Sequence, residues 1–183
     1  LLDTVQREQV TFLPGPPTLF QTLLALENEP AAIMDSVRVA VTGASAVSPA
    51  LVRAMRAKLG IPIVLTGYGL TETCGTVSLS RPDDPAEIVA ETCGKAIEGI
   101  EIACVDATTG RRLPAGQVGS VLVRGTNVMQ EYLEDPQATA AAIDADGWLR
   151  TGDLGSVDEE GYLRIAGRSD DAFMVGGFNC YPA

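Results

Sequence analysis

Histidine is absent from all 183 residues. A Ser-His-Asp triad, an imidazole base and most catalytic zinc sites are therefore excluded within this stretch, and any chemistry must use carboxylates, arginine, hydroxyls or a bound ion. Basic residues are scarce, with 13 Lys and Arg against 24 Asp and Glu and a net charge of -11. That balance disfavours nucleic acid and anionic membrane as partners, since both call for clustered Lys and Arg. It also repels a nucleotide at long range, so a nucleotide site here needs local donors and a metal. Cys74, Cys93, Cys104 and Cys180 show neither C-x-x-C pairing nor the density of a disulfide scaffold, which fits a reduced, cytoplasmic protein. No apolar run approaches the roughly 20 residues of a membrane helix, so no integral membrane segment is expected. An opening Met is also lacking: the chain starts on Leu1-Leu2 and stops at Tyr181-Pro182-Ala183 after a Gly-rich segment, so both ends are expected to be cut.

What is present is ordinary globular composition, 46% hydrophobic and 20% charged. The first part of the chain alternates helix-like and strand-like segments. Pro17 to Glu29 carries Leu19, Phe20, Leu23, Leu24 and Leu26 on one helical stripe behind Pro16-Pro17. A strand follows at 37–41. Ser48-Pro49 caps a second helix with Leu51, Val52, Met55 and Leu59 inward, and Gly60 closes it before a strand at 61–65. Strand, helix, strand is a parallel α/β unit. From about Thr92 the texture turns to short β-rich segments at 100–106, 118–124 and 161–166, with a short helix entered through Asp135-Pro136 and a hairpin turn at Asp158-Glu159-Glu160-Gly161. The expected organisation is an α/β portion over 1–90, a β-rich subdomain over 91–167, and a further piece over 168–183.

Gly67-Tyr68-Gly69-Leu70-Thr71-Glu72-Thr73 follows the 61–65 strand directly. In α/β sheets ligands lie beyond the carboxyl ends of strands. The glycines let backbone approach a ligand, Tyr68 offers a ring for stacking a base, Thr71 can donate to phosphate, and Glu72 is a hard oxygen ligand for magnesium. The alternative is a glycine-rich turn with a surface carboxylate. Thr42-Gly43-Ala44-Ser45-Ala46 ends the preceding strand with residues small enough for a flat ring to lie against main chain. Trp148 and Tyr162 read as core, and Cys74 as a small packed residue.

These stretches, with Thr151-Gly152-Asp153, Gly167-Arg168-Ser169-Asp170-Asp171 and Val175-Gly176-Gly177-Phe178-Asn179, resemble the ordered signatures of the adenylate-forming superfamily of acyl-CoA synthetases, luciferases and peptide-synthetase adenylation domains. The segment 10–17 resembles its acyl-site stretch, and Gly125 to Thr139, with Tyr132, Pro136 and Thr139, its G-x-x-x-x-x-x-Y-x-x-x-P-x-x-T stretch. The resemblance implies the C-terminal part of that superfamily's large N-terminal domain: a parallel β/α unit, a small β-barrel-like subdomain, and a hinge to a missing C-terminal domain. It implies a two-step reaction in which a carboxylic acid attacks ATP to give acyl-adenylate, and a thiol, usually coenzyme A, takes the acyl group. Tyr68 would stack on adenine with Gly43, Ala44 and Ser45 on its other side, and 67–71 would surround the nucleotide. Thr71 would hold the α-phosphate, Glu72 would ligate magnesium, Asp153 would grip the ribose hydroxyls, and Arg168 would bind ribose or phosphate oxygen. Asp170 matches the hinge, and Gly176 and Gly177 the loop behind the pantetheine of coenzyme A.

The last segment is similar to the acyl-CoA ligase version of its motif, which implies an AMP-forming acid–thiol ligase acting on a fatty or related acid. Phe12, Gly15, Gly69 and Val77 are candidates for the acyl wall. The superfamily's phosphate loop and its C-terminal catalytic Lys are not among these residues, so the expected parent is a ligase of which this fragment alone turns over little substrate. A non-catalytic adenine-nucleotide module, a peptide-synthetase adenylation domain and a luciferase-like enzyme remain the other readings.

Overall fold

The computed structural model describes residues 1–26, 33–43 and 47–169, and the backbone of 173–175 and 178–180. The chain divides into two compact units: Leu1–Tyr68 with Leu79–Gly94, and Gly69–Ser78 with the chain from Lys95 onward.

The first unit begins with α1 (Leu2–Glu8), β1 (Phe12–Gly15) and α2 (Pro17–Leu24). Pro17 sits at the first position of α2, where its missing N–H is no loss. Phe20 and Leu23, three residues apart, put their side chains on one buried face. The helix stops short of the expected Glu29. The Ala25 N–H is shared between the carbonyls of Gln21 and Thr22, which tightens and closes the last turn, and Leu26 beyond it is exposed. Glu29 itself lies outside the described residues.

Next come β2 (Val39–Thr42), α3 (Pro49–Lys58) and β3 (Ile63–Tyr68). β1, β2 and β3 are parallel, with Leu13 opposite Ala40 and Ala40 opposite Val64. The Ser48 hydroxyl accepts from the Leu51 N–H at 3.1 Å, as a cap of α3. Leu51, Val52 and Met55 on α3, with Leu59 just past it, join Phe20, Met34, Val37, Ile61 and Val64 in one buried cluster. Each such side chain contributes about 1.5–3 kcal/mol by leaving water. β4 (Ser78–Leu79) leads to Ser80, which exchanges bonds with Thr66 on β3 through its own N–H and its hydroxyl. α4 (Ala86–Glu91) adds Ala86 and Val89 to the core. β3 also runs three residues past the expected end, so Thr66, Gly67 and Tyr68 are extended.

In the second unit, β5 (Lys95–Ala96) precedes β6 (Ile100–Val105), β7 (Gly119–Gly125), α5 (Pro136–Ala142), β8 (Leu149–Val157) and β9 (Leu163–Arg168). β6 to β9 form an antiparallel meander in chain order. Ala103 and Val105, two apart on β6, share a core face with Leu122 and Trp148. The indole of Trp148 is buried, as expected, with the guanidinium groups of Arg124 at 4.6 Å and Arg112 at 5.0 Å from its ring centre. Tyr162 is likewise buried. The β8–β9 connection is the expected hairpin turn: Asp158 Oδ1 accepts from the N–H groups of Glu160 and Tyr162. Entry to α5 also follows expectation, Asp135 Oδ1 accepting from Ala138 N–H at 2.8 Å. β10 (Phe173–Val175) and β11 (Phe178–Cys180) pair antiparallel.

Candidate functional site

In the first unit the proposed adenine-side residues lie at two neighbouring strand ends. Thr42 and Thr66 are parallel partners, so Gly43 and Gly67 follow side by side. A Cβ on Gly43 would come 3.5 Å from the Gly67 carbonyl oxygen. The two glycines therefore present bare main chain, and half-buried Tyr68 ends β3 just after them. Ala44 and Ser45 lie outside the described residues.

In the second unit, Gly69–Ser78 doubles back on itself. A Cβ on Gly69 would lie 2.2 Å from the Gly75 carbonyl oxygen, so no other residue fits this crossing unaltered. Between the two arms, Thr71–Thr73 makes one 3-10 turn. The Thr73 hydroxyl accepts from Leu70 N–H at 3.2 Å and donates to Leu70 C=O at 3.0 Å, locking the start of the turn. Cys74 closes it in the left-handed region with φ 52°. The thiol expected to be packed is exposed. Thr71 is exposed and Glu72 half-buried.

Glu72 is held from a distant segment. Tyr132 donates its phenolic O–H to Glu72 Oε1 at 2.8 Å, and Met129 donates its N–H to the Glu72 carbonyl at 2.7 Å. Asn127 donates its side-chain amide to the Thr76 carbonyl. Tyr132 is itself fixed: its N–H donates to Thr139 Oγ1 at 2.9 Å, and that hydroxyl donates to the Asp135 carbonyl at 2.8 Å. Sharing its proton with a carboxylate pushes the Tyr132 phenol above the ordinary tyrosine range, first through the hydrogen bond and then through burial and charge. Sequence reasoning quoted Tyr132, Pro136 and Thr139 as a motif but assigned Tyr132 no partner.

Asp153 and Arg168 meet on adjacent strands. Asp153 lies within β8, opposite Arg168 at the end of β9, and Arg168 Nη1 reaches Asp153 Oδ1 at 3.2 Å. Gly152 has φ 76°, which L side chains rarely adopt, and a Cβ there would stand 3.2 Å from Arg168 Nη2. The Ser169 hydroxyl donates to the Gly152 carbonyl at 3.0 Å. The Asp153 N–H donates to Thr151 Oγ1, whose proton goes to the Val121 carbonyl. A carboxyl group with two oxygens thus sits beside a forked guanidinium on neighbouring strands. Asp170, Gly176 and Gly177 lie outside the described residues. Among the proposed acyl-wall positions Phe12 is exposed and Val77 fully buried.

A model of the family described as AMP-binding enzyme matches residues 1–133. The chain belongs to the AMP-binding enzyme family. It is 48% identical over 182 residues to a 3-(7a-methyl-1,5-dioxo-octahydro-1H-inden-4-yl)propanoyl:CoA ligase of Mycobacterium tuberculosis, covering 100% of this chain and 34% of that protein. It is 35% identical over 182 residues to the mitochondrial medium-chain acyl-CoA ligase of Rattus norvegicus, again covering 100% of this chain and 30% of the relative. The solved structure of ATP-bound MatB from Rhodopseudomonas palustris superposes with a TM-score of 0.84 at 35% identity, over 99% of this chain and 35% of that one. The AMP-binding chain therefore spans about a third of the length of the curated relatives it matches, and its α/β architecture is that of a part of these enzymes.

The donor set of this AMP-binding segment fits magnesium in the manner of a nucleotide-borne cation. Among the described residues no group of three or more His, Cys, Asp and Glu could cage a metal. Magnesium usually keeps several waters and is held by one or two carboxylates plus substrate phosphates. Glu72 would offer one such carboxylate, with Oε1 engaged by Tyr132. No helix among the described residues is long and apolar enough to cross a membrane.

Proposed function

We propose that the protein carrying this chain is an AMP-forming acid–thiol ligase that activates a carboxylic acid with ATP as its acyl-adenylate and transfers the acyl group to coenzyme A. The observation that supports this most is the braced Glu72 carboxylate, set one residue after the exposed Thr71 hydroxyl, in a chain whose relatives are CoA ligases by name. Tyr68 stacks on adenine, with the bare backbone of Gly43 and Gly67 and the small residues Ala44 and Ser45 against the base. Asp153 accepts from the ribose hydroxyls while Arg168, paired with it, orients the carboxylate and binds a ribose or phosphate oxygen. Thr71 donates to the α-phosphate, where negative charge builds as the acid attacks. Magnesium bound at Glu72 supplies charge neutralisation on the phosphates.

Transfer to coenzyme A belongs to the same proposal, with Asp170 as the hinge and Gly176 and Gly177 behind the pantetheine arm. The substrate is a fatty or related carboxylic acid. The cytoplasm is the proposed setting, since the four cysteines of the sequence show neither C-x-x-C pairing nor the density of a disulfide scaffold. The test is acid-dependent ATP–pyrophosphate exchange and CoA-dependent AMP release by the full-length protein, across short, medium, aromatic and polycyclic acids. Glu72→Gln should lower exchange about 100-fold or more. Absence of AMP release with every acid, from a protein that still binds ATP, would leave only a nucleotide-binding module.

A further inference from the structure

The second unit contains a polar device whose outer partner, Tyr132, the adenylation reading gives no role. Glu72 is anchored twice to the segment between β7 and α5: its carbonyl accepts from Met129 N–H, and its carboxylate accepts from the Tyr132 phenol. The two contacts differ in kind. The first, with the Asn127 amide on the Thr76 carbonyl, sets the path of the backbone. Such main-chain contacts would suffice to hold a structural turn. The second acts on the carboxylate itself, 60 residues away in sequence.

We propose that Tyr132 is a positioning residue for the adenylation step, holding one oxygen of Glu72 through its phenol so that the other is presented to a nucleotide-borne divalent cation. This rests on the proposed function for the identity of the step. The choice of a phenol follows from charge. A lysine or arginine in the same place would fix the carboxylate but neutralise it, and a neutralised carboxylate is a poor ligand for a hard cation. A neutral O–H donor fixes one oxygen and leaves the negative charge in place. Without it, a half-buried glutamate on an open 3-10 turn samples several rotamers.

The brace is in turn anchored through its main chain. Thr139 Oγ1 accepts the Tyr132 N–H while donating to the Asp135 carbonyl, and Asp135 caps α5 through Ala138 N–H. Tyr, Asp, Thr and the helix start thus form one connected network ending on the Glu72 carboxylate, as outer-shell partners of metal ligands commonly do.

The experiment is Tyr132→Phe in the full-length protein, which keeps the ring and removes one hydroxyl. Three quantities are read: Mn2+ affinity by electron paramagnetic resonance in the presence of a non-hydrolysable ATP analogue, the Mg2+ concentration that half-saturates ATP–pyrophosphate exchange, and the rate of thioester formation from pre-formed acyl-adenylate. The expected result is a roughly 10-fold loss in Mn2+ affinity, a matching rise in the Mg2+ requirement and an unchanged thioester step. Added to Glu72→Gln, the Tyr132→Phe change should then have no further effect on Mn2+ binding. Unchanged Mn2+ affinity overturns the proposal, as does an equal loss in both half-reactions accompanied by a lower Tm, the signature of a structural role. If the wild-type protein binds Mn2+ with the analogue yet exchanges no pyrophosphate with any acid, the ligase reading fails while the Mn2+ comparison still decides the role of Tyr132. If it binds neither, both fall.

Discussion

Asp153 and Arg168 are direct cross-strand partners, yet their side chains differ sharply in exposure: 10% for the carboxylate and 57% for the guanidinium. A pair with one partner in water is worth no more than about 1 kcal/mol of stability. A ligand role therefore separates cleanly from a structural one. Asp153→Asn should shift Tm by only a few degrees but weaken ATP binding about 10-fold or more in calorimetric titration, because the amide loses one acceptor and the charge. Arg168→Ala should do the same to a smaller degree. Loss of stability with intact nucleotide affinity would assign the pair to the fold alone.

The crossing at Gly69 is steric. A methyl group placed there meets the Gly75 carbonyl and the Thr76 nitrogen, backbone atoms that cannot rotate away. Gly69→Ala should cost about 1–3 kcal/mol and disturb the Thr71–Glu72 turn. Chemical denaturation with exchange kinetics checks it. An alanine variant with full stability and activity would show that the loop has slack absent from this structure.

Ser48 gives a stability effect remote from the chemistry. Its hydroxyl satisfies one of the orphan N–H groups at the start of α3. Ser48→Ala should destabilise by about 1 kcal/mol, or roughly 2–4 °C in Tm, while Ser48→Asp should retain most of the cap. Activity is expected to be unchanged in both.

A pH effect follows from Cys104 on β6. Burial pushes its thiol up, partly countered by a hydrogen bond from the Val157 backbone. The folded chain thus holds the thiol proton more tightly than the unfolded chain does. The stability this brings is complete below the ordinary thiol value of about 8.5 and is lost as pH rises through the raised folded value. Comparing Tm of the protein and of Cys104→Val from pH 7 to 10.5, the wild type should fall more steeply on the alkaline side. Parallel curves would count against the shift.

Much of the local structure was legible because it is local. Ser48 precedes Pro49 and an apolar stripe, Asp135 precedes Pro136, and Asp158 precedes a short turn with Gly161; each is a cap or turn whose partner lies within four residues. The pieces that escaped reading depend on register or distance. Asp153 falls within β8 because the strand continues through Gly152, and only the pairing with β9 shows this. The end of α2 is set by how Ala25 closes the turn, which the continuing apolar spacing of Leu19, Leu23, Leu24 and Leu26 conceals. The grip of Tyr132 on Glu72 leaves a trace only in the spacing of Tyr132, Pro136 and Thr139, since neither partner's neighbours name the other.

Because Gly69–Ser78 belongs with the residues after Lys95, the second unit is discontinuous along the chain, and its assembly is bound to the order of synthesis. Glu72 leaves the ribosome 60 residues ahead of Tyr132. At translation speeds of about 5–20 residues per second this is an interval of roughly 3–12 s. During that time the first unit can complete its parallel sheet up to β3, while the turn that follows has only its own local hydrogen bonds. Glu72 is thus synthesised early, and the contact that braces its carboxylate can form only once Tyr132 has been made.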